Sequence, residues 1–211
     1  MSNVKQVKVW DPLVRLFHWS LVLAFIVAYL TGEEEDDLHI YAGYVILGLI
    51  LFRLLWGFIG TRHARFSDFV RSPTEIANYI RDMLAGRAKR YIGHNPAGGA
   101  MILALLLGLA ITTWSGLEVY AIEEGAGPLA GASNISLISP AYADDDDDEH
   151  EYGHQKDEDE GEEELWEEIH EVSANLVLLL VILHVLGVVV SGRIHHENLV
   201  RAMITGRKKS G

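Results

Sequence analysis

Four long apolar segments dominate the hydrophobicity pattern of the chain. They cover residues 16–32, 38–61, 96–117 and 172–192, and Arg53 is the only Asp, Glu, Lys or Arg residue within them. A helix needs about 20 apolar residues to cross a bilayer, and continuous apolarity of this length favours helices over buried strands. The pattern therefore predicts four transmembrane helices at about residues 13–32, 38–60, 96–117 and 169–192.

Charge divides the connections between these helices into two kinds. Basic residues dominate the N-terminus, residues 62–94 and the C-terminal tail, whereas acidic residues fill residues 33–37 and 118–171, where Lys156 is the single base. Because basic connections stay in the cytoplasm, both termini and residues 62–94 are expected to be cytoplasmic. The sequence predicts one all-α integral membrane domain over residues 1–211, a four-helix bundle with up-down-up-down topology.

The long acidic connection changes this picture on one side of the membrane. Residues 144–149 and 157–164 are strongly acidic, and such like-charged runs are typical of disordered segments. We expect residues 118–168 to form a disordered outer loop. The formal net charge of −13 argues against a nucleic-acid partner, and the lack of cysteine excludes thiolate metal sites and covalently attached haem.

Histidines supply the candidate chemistry of the spans. Four of the ten histidines lie in or at the edge of a predicted span, namely His18, His39, His170 and His184. His170 and His184 are separated by 14 residues, which in a helix is a rise of about 21 Å and nearly four full turns, so both point to one face. The topology then places His184 level with His18 at the inner side, and His170 level with His39 at the outer side. Two imidazoles at one depth suit the two axial positions of a haem iron.

Other roles for these histidines must be weighed against haem ligation. A single buried histidine often only hydrogen-bonds a neighbouring helix, but four that sort into two pairs of equal depth are hard to explain in that way. A transition-metal site needs three or four ligands together. A proton relay usually recruits carboxylates, which the four apolar runs lack. A haem-free transporter that uses the histidines for metal or protons is the competing class.

Two arginines are candidate partners of the inner haem. Arg53 follows His39 by 14 residues, so it shares the same helix face about 21 Å deeper, where it would pair with a haem propionate or a quinone carbonyl. Snorkelling to the inner headgroups explains Arg53 equally well. Arg15, about one turn before His18, is a similar propionate candidate, and its alternative is ordinary anchoring by positive charge.

Several short motifs stand at the ends of the predicted spans. They are Val9-Trp10-Asp11, Arg15-Leu16-Phe17-His18-Trp19, His39-Ile40-Tyr41-Ala42-Gly43, Arg53-Leu54-Leu55-Trp56-Gly57 and Gly93-His94-Asn95-Pro96-Ala97-Gly98-Gly99. In these motifs the chain resembles the bacterial cytochrome b561 family, which includes the b-type cytochrome subunit of nickel–iron hydrogenases. The resemblance implies two non-covalent b-type haems with ligands from helices 1, 2 and 4, and these match His18, His39, His170 and His184.

The resemblance also implies a function and a location. The family passes electrons between the quinone pool and a redox partner, which implies ubiquinone or menaquinone as substrate and a multi-pass protein of the bacterial inner membrane. The acidic outer connection departs from the short loop usual in the family. Its charge would steer a basic partner such as a periplasmic cytochrome c, although a merely solvated segment is an equal alternative.

Two further functions stay open beside electron transfer to a soluble cytochrome. A membrane-anchoring subunit of a hydrogenase-like oxidoreductase complex would use the same haems, and an oxidase that acts directly on a small oxidant would expose the outer haem. Whether the chain counts as an enzyme is therefore open. The shared expectation is a di-haem membrane cytochrome that moves electrons across the bilayer.

Overall fold

A computed structural model describes residues 6–32, 37–130 and 151–210, and residues 151–160 by their backbone alone. In chain order the elements are β1 (Gln6–Lys8), α1 (Pro12–Thr31), α2 (Asp37–Ile59), a 3₁₀ turn (Arg62–Ala64), α3 (Phe66–Phe69), α4 (Pro73–Leu84), α5 (Pro96–Glu123), α6 (Glu151–Ile194), α7 (Leu199–Thr205) and β2 (Arg207–Lys209). Four of the helices, α1, α2, α5 and α6, are long and apolar enough to cross a membrane. The predicted four-helix membrane architecture is confirmed.

Polar capping residues followed by proline set the start of three helices. The Asp11 carboxylate accepts a hydrogen bond from the Val14 amide at 2.9 Å, and the Asn95 side chain accepts one from the Gly98 amide at 2.7 Å. Ser72 and Glu75 form a capping box at the start of α4. These side chains satisfy helix amides that have no partner within the helix, and proline fits the first helical position because its missing N–H is not needed there.

The bundle packs as two close helix pairs. Helix α1 lies against α2 and α5 lies against α6, while α2 contacts α5 between the pairs. The buried centre is built from small and branched residues, namely Ala24, Ala28, Ala42, Ile46, Ile50, Leu109 and Val177. A Cβ atom at Gly108 would lie 2.8 Å from Cγ2 of Val177. The close approach of α5 and α6 therefore requires glycine at this position, as is usual for helices packed in membranes.

The segments at one end of the bundle form an ordered layer, which we call the basic end. It holds the start of α1, the end of α2, residues 62–94 and the tail after α6. Strands β1 and β2 pair antiparallel, with Lys8 opposite Arg207. The Glu197 carboxylate lies 2.5 Å from Nη2 of Arg90 and 3.5 Å from Nζ of Lys208. Burial lowers the pKa of Lys208, and the Glu197 charge opposes that shift. The two terminal segments thus meet at one end of the molecule.

The opposite end, which we call the acidic end, differs from the sequence prediction. Helix α5 continues to Glu123 and α6 begins at Glu151, so residues 118–123 and 151–168 are helical rather than parts of a disordered loop. Glutamate is a good helix former, and negative charge near a helix N-terminus interacts favourably with the helix dipole. Residues 33–36 and 131–150, which include the acidic run 144–149, lie outside the described part of the chain.

Candidate functional site

The structure brings the four predicted histidines together in two pairs. The ring centroids of His18 on α1 and His184 on α6 are 6.4 Å apart, and those of His39 on α2 and His170 on α6 are 5.9 Å apart. A metal–imidazole bond is about 2 Å long and the ring centre lies about 1 Å farther out, so two imidazoles on opposite sides of one metal ion have centroids about 6 Å apart. Both pairs have the spacing that axial ligands of one iron require.

Backbone carbonyls orient both rings of the pair at the acidic end. Nδ1 of His39 lies 2.9 Å from the carbonyl oxygen of Ala28, and Nδ1 of His170 lies 2.9 Å from the carbonyl oxygen of Thr112. Since a carbonyl oxygen only accepts hydrogen bonds, each Nδ1–H donates and the lone pair stays on Nε2. This is the tautomer and orientation in which histidine binds a metal.

A mostly apolar cavity adjoins this pair between α1, α2, α5 and α6. Its lining combines His39 and His170 with aliphatic and aromatic side chains, among them Phe25, Tyr29, Ile46, Leu47, Leu109, Leu117 and Tyr120. Gly43 also lines the cavity, and a Cβ atom there would meet no atom within 4 Å. Cofactor pockets are typically concave and apolar with a few convergent polar groups. The residues therefore fit a flat, largely apolar macrocycle held by two histidines.

Gly116 gives His170 the room that its ring needs. A Cβ atom at Gly116 would lie 2.8 Å from Cε1 and 3.0 Å from Nδ1 of the His170 ring. The neighbouring Ser115 side chain is fully buried, and its Oγ lies 3.3 Å from Nδ1 of His170. Helix α5 thus both positions the His170 ring and leaves it space.

The pair at the basic end is held differently. Nδ1 of His18 is buried and has no hydrogen-bond partner among the described residues, while the His18 ring meets the Trp19 ring edge-on with centroids 5.1 Å apart. A buried polar atom without a partner costs free energy and calls for an explanation. A group bound between His18 and His184 that offers a hydrogen-bond acceptor near the His18 ring is such an explanation.

Arg53 is buried inside the protein at the end of α2. Its side chain is 3% exposed, and the guanidinium carbon lies 5.2 Å from the Phe66 ring centroid and 5.8 Å from that of Phe69. Nη1 is buried without a hydrogen-bond partner in the described residues. The aromatic rings of α3 thus cover the Arg53 side chain at the end of α2, and its predicted contact with a haem propionate or a quinone carbonyl stays a prediction.

Arg15 turns toward the C-terminal helix. Its Nη1 donates a hydrogen bond to the carbonyl oxygen of Ile204 at the end of α7, and its Nε is buried without a partner among the described residues. A Cβ atom at Gly206 would lie 3.4 Å from this Nε. The guanidinium thus links the start of α1 to the tail of the chain, and the predicted propionate contact stays a prediction.

Two side chains at the basic end, Asp11 and His94, join distant segments, and the sequence did not predict these contacts. Asp11 accepts hydrogen bonds from Nε1 of Trp56 at 3.3 Å and from Oγ1 of Thr61 at 2.5 Å, so it ties α1 to α2. Burial would raise the pKa of Asp11, but its hydrogen bonds with Thr61, Val14 and Trp56 hold that pKa below the usual value. The motif Val9-Trp10-Asp11 was visible in the sequence, but the α2-side partners Trp56 and Thr61 lie 45 and 50 residues away from Asp11.

His94 is packed between two aromatic rings. Its ring centroid lies 4.5 Å from that of Trp10 and 4.8 Å from that of Phe69. Burial lowers the pKa of His94 to about 3, with the Arg53 and Lys208 charges acting in the same direction. The imidazole is therefore neutral at physiological pH, and it joins the N-terminal segment to α3 beneath the bundle.

A four-helix membrane bundle with two facing histidine pairs defines a class of haem-binding membrane proteins. The family described as prokaryotic cytochrome b561 matches residues 9–206 of this chain. The chain therefore belongs to the prokaryotic cytochrome b561 family and is a bacterial membrane b-type cytochrome.

Similar curated proteins carry the name of one kind of subunit. The chain is 29% identical to the probable Ni/Fe-hydrogenase B-type cytochrome subunit of Azotobacter chroococcum mcd 1, over 59% of this chain and 63% of that protein. It is 24% identical to the protein of the same name in Rhodobacter capsulatus, over 96% and 81%, respectively. It is 27% identical to the probable Ni/Fe-hydrogenase 1 B-type cytochrome subunit of Escherichia coli (strain K12), over 56% and 62%.

The matches differ in how much of each relative they cover. The chain spans less than two thirds of the length of the Azotobacter and Escherichia proteins, and no solved structure gives a significant match. The family follows from the match over residues 9–206.

Proposed function

We propose that this chain is a di-haem cytochrome that carries electrons across the bilayer, between the quinone pool at the basic end and a redox partner at the acidic end. The observation that carries the proposal is the presence of two histidine pairs with the spacing of axial ligands. Their α6 members are separated by 14 residues, about 21 Å along the helix. His18 and His184 would hold one haem b, and His39 and His170 the other.

Each haem would supply a reversible one-electron centre whose potential depends on its surroundings. The protein would hold each haem and shield it from water. The carbonyl groups of Ala28 and Thr112 accept hydrogen bonds from His39 and His170, which fixes the ring orientation and raises the basicity of the other ring nitrogen, the one that would hold the iron. The apolar lining at the acidic end excludes water from the site. A protein built in this way moves electrons without a large conformational change.

Arg53 is the residue that we propose to meet an anionic or polar group at the basic end. A buried guanidinium with an unpaired nitrogen is costly, so a partner is expected. A haem propionate or a quinone carbonyl would satisfy it. Both partners belong near the pair formed by His18 and His184, which is where we place quinone reduction or quinol oxidation, with ubiquinone or menaquinone as substrate.

Charge sets the orientation that we propose. The basic end faces the cytoplasm because basic connections stay on that side of a bacterial inner membrane. The acidic end then faces the periplasm, where the exposed carboxylates include Glu124 directly after α5 and, on α6, Glu164, Glu167, Glu168 and Glu171. A dense anionic surface attracts a basic protein by long-range steering. A basic periplasmic cytochrome c is the partner that fits this surface.

The electron-transfer proposal can be tested in proteoliposomes that contain quinol and in which the acidic end of the protein faces outward. A basic cytochrome c is added to the outside solution as the electron acceptor. We expect quinol-dependent reduction of the cytochrome to slow about tenfold as ionic strength rises from about 10 mM to about 150 mM, because salt screens exposed charges. A small neutral electron acceptor is the control, and its rate should not change. If both acceptors show the same salt dependence, or if neither rate depends on salt, the proposal that the acidic surface docks the cytochrome is wrong.

A second candidate function rests on the names of the relatives. Three similar proteins are called probable Ni/Fe-hydrogenase B-type cytochrome subunits, so this chain would anchor a hydrogenase-like enzyme and accept its electrons. The two functions differ in whether a stable complex forms. Solubilisation of the native membrane in a mild detergent, followed by purification through a tag on this chain, separates them: a stoichiometric metalloenzyme subunit supports the anchor, and its absence supports a separate cytochrome.

A further inference from the structure

A shallow groove opens at the basic end, between the start of α1 and the end of α7. We call it the Arg15 groove, and it is lined by Pro12, Arg15, Leu16, Trp19 and Ile204. The α1 residues follow the spacing i, i+3, i+4 and i+7, so they share one helix face. Leu16 is 65% exposed, Trp19 is 41% exposed and Ile204 is 59% exposed. The groove therefore offers apolar surface at the depth where tryptophan marks the edge of a membrane.

The Arg15 guanidinium supplies a cation within this apolar groove. Its Nη1 donates to the Ile204 carbonyl oxygen, but its Nε is buried without a partner in the described part of the chain. None of the described salt bridges involves Arg15. A guanidinium has five N–H donors in a fork that matches the oxygens of a phosphate. Arg15 thus carries a full positive charge that no described carboxylate neutralises.

Two further cations lie on the β-ribbon at the same end of the molecule. Lys8 and Arg207 are exposed and lie directly opposite each other in the pairing of β1 with β2. They flank the contact between Val9 and Gly206, whose amide and carbonyl are joined by a 2.9 Å hydrogen bond, and Gly206 is the residue that lies against the Arg15 guanidinium. Like charges directly opposite each other destabilise a ribbon, so an anion that bridges them would relieve a local repulsion.

We propose that the Arg15 groove binds an anionic phospholipid. The phosphate of the headgroup pairs with Arg15 and is attracted by Lys8 and Arg207, and an acyl chain lies along Leu16, Trp19 and Ile204. The combination of exposed apolar surface with an unneutralised cluster of cations at a membrane edge favours this occupant over a soluble anion, which would leave the apolar part of the groove in water. The bound lipid would fasten α7 and the β-ribbon to the start of α1.

Native mass spectrometry of the haem-loaded protein in mild detergent tests the proposal, with phosphatidylglycerol and phosphatidylcholine of identical acyl chains as probes. We expect one phosphatidylglycerol to be retained in preference to phosphatidylcholine. Neutralising one cation near a membrane surface weakens binding of an anionic lipid about fivefold, so Arg15→Gln and the double variant Lys8→Gln/Arg207→Gln should each lower phosphatidylglycerol retention by at least that factor. Arg15→Lys, which keeps the charge, should lose less.

Control variants separate this site from general attraction to a basic surface. Arg81 is an exposed cation on α4 at the same end of the molecule, and Arg81→Gln should leave phosphatidylglycerol retention unchanged. Equal retention of the two lipids, or an equal loss in Arg81→Gln, would overturn the proposal. Displacement of the lipid by millimolar inorganic phosphate would instead identify a site for soluble anions and would also overturn it.

The same variants separate the lipid site from the haem propionate role predicted for Arg15 from the sequence. If Arg15→Gln shifts the midpoint potential of the haem at the basic end while lipid retention stays the same, Arg15 serves the haem and the lipid proposal fails. If lipid retention falls and the potential stays the same, the proposal holds. The double variant on the β-ribbon leaves Arg15 in place, so it tests the lipid site even if Arg15→Gln does not fold.

Discussion

Replacement of His184 by alanine is expected to remove one haem and leave the other. The variant loses one of the two ligands that we propose at the basic end, where the His18 and His184 ring centroids are 6.4 Å apart. The pair at the acidic end lies about 21 Å away along α6 and keeps both of its histidines. We expect the purified variant to contain about half of the haem of the parent protein, measured as the pyridine haemochrome per chain.

A histidine outside the bundle provides the control for this variant. His196 is exposed at the basic end and has a φ of 52°, a conformation that asparagine tolerates well. His196→Asn should keep the full haem content. If His184→Ala keeps all of its haem, the assignment of His184 as a ligand is wrong, and if His184→Ala loses all of its haem while remaining folded, the two sites are not independent.

Substitution of Gly116 by valine is expected to disturb the haem at the acidic end alone. Even a Cβ atom at this position would lie 2.8 Å from Cε1 of His170, and the branched valine adds two methyl groups beyond it. The His170 ring must then leave the Thr112 carbonyl that orients it at 2.9 Å. We expect loss of this haem, or a change in its axial ligand field visible by electron paramagnetic resonance, while the signal of the other haem is kept.

Gly161 on α6 offers a matched comparison for Gly116→Val. It lies at the acidic end, and a Cβ atom at this position would meet no other atom within 4 Å. Gly161→Val carries the same change of residue type in a helix and should leave both haem signals intact. Unchanged signals in Gly116→Val would mean that the His170 ring does not occupy the position next to Gly116 when haem is bound. The proposed haem site at the acidic end would then be wrong.

Periodicity and charge were sufficient to predict the membrane core. The four apolar runs predicted the four spans, because the length of a spanning helix is fixed by the thickness of the bilayer. The 14-residue spacing of His170 and His184 placed both rings on one face of α6, because 14 residues make nearly four complete turns. Alternation of helix direction then paired each ring with the histidine at its own depth, and the structure places both pairs of rings within 6.4 Å.

The basic end could not be predicted in the same way, since its contacts join distant parts of the chain. The Arg90 side chain meets Glu197 across 107 residues, and Arg15 meets the Ile204 carbonyl across 189 residues. No local pattern marks such partners. The helical start of α6 was missed for a different reason: charge repulsion was weighed above the helix propensity of glutamate, although residues from Glu151 onward continue into an apolar span that holds the helix in place.

The measurement that tests the central claim most directly is a reduced-minus-oxidised spectrum of the purified protein, expressed with an adequate haem supply and combined with a pyridine haemochrome count. Two histidine pairs with the spacing of axial ligands predict about two b-type haems per chain. A single haem would mean that one of the pairs is not a ligand set. No haem at all would contradict the electron-transfer account and would favour a transporter that uses its histidines for metal or protons.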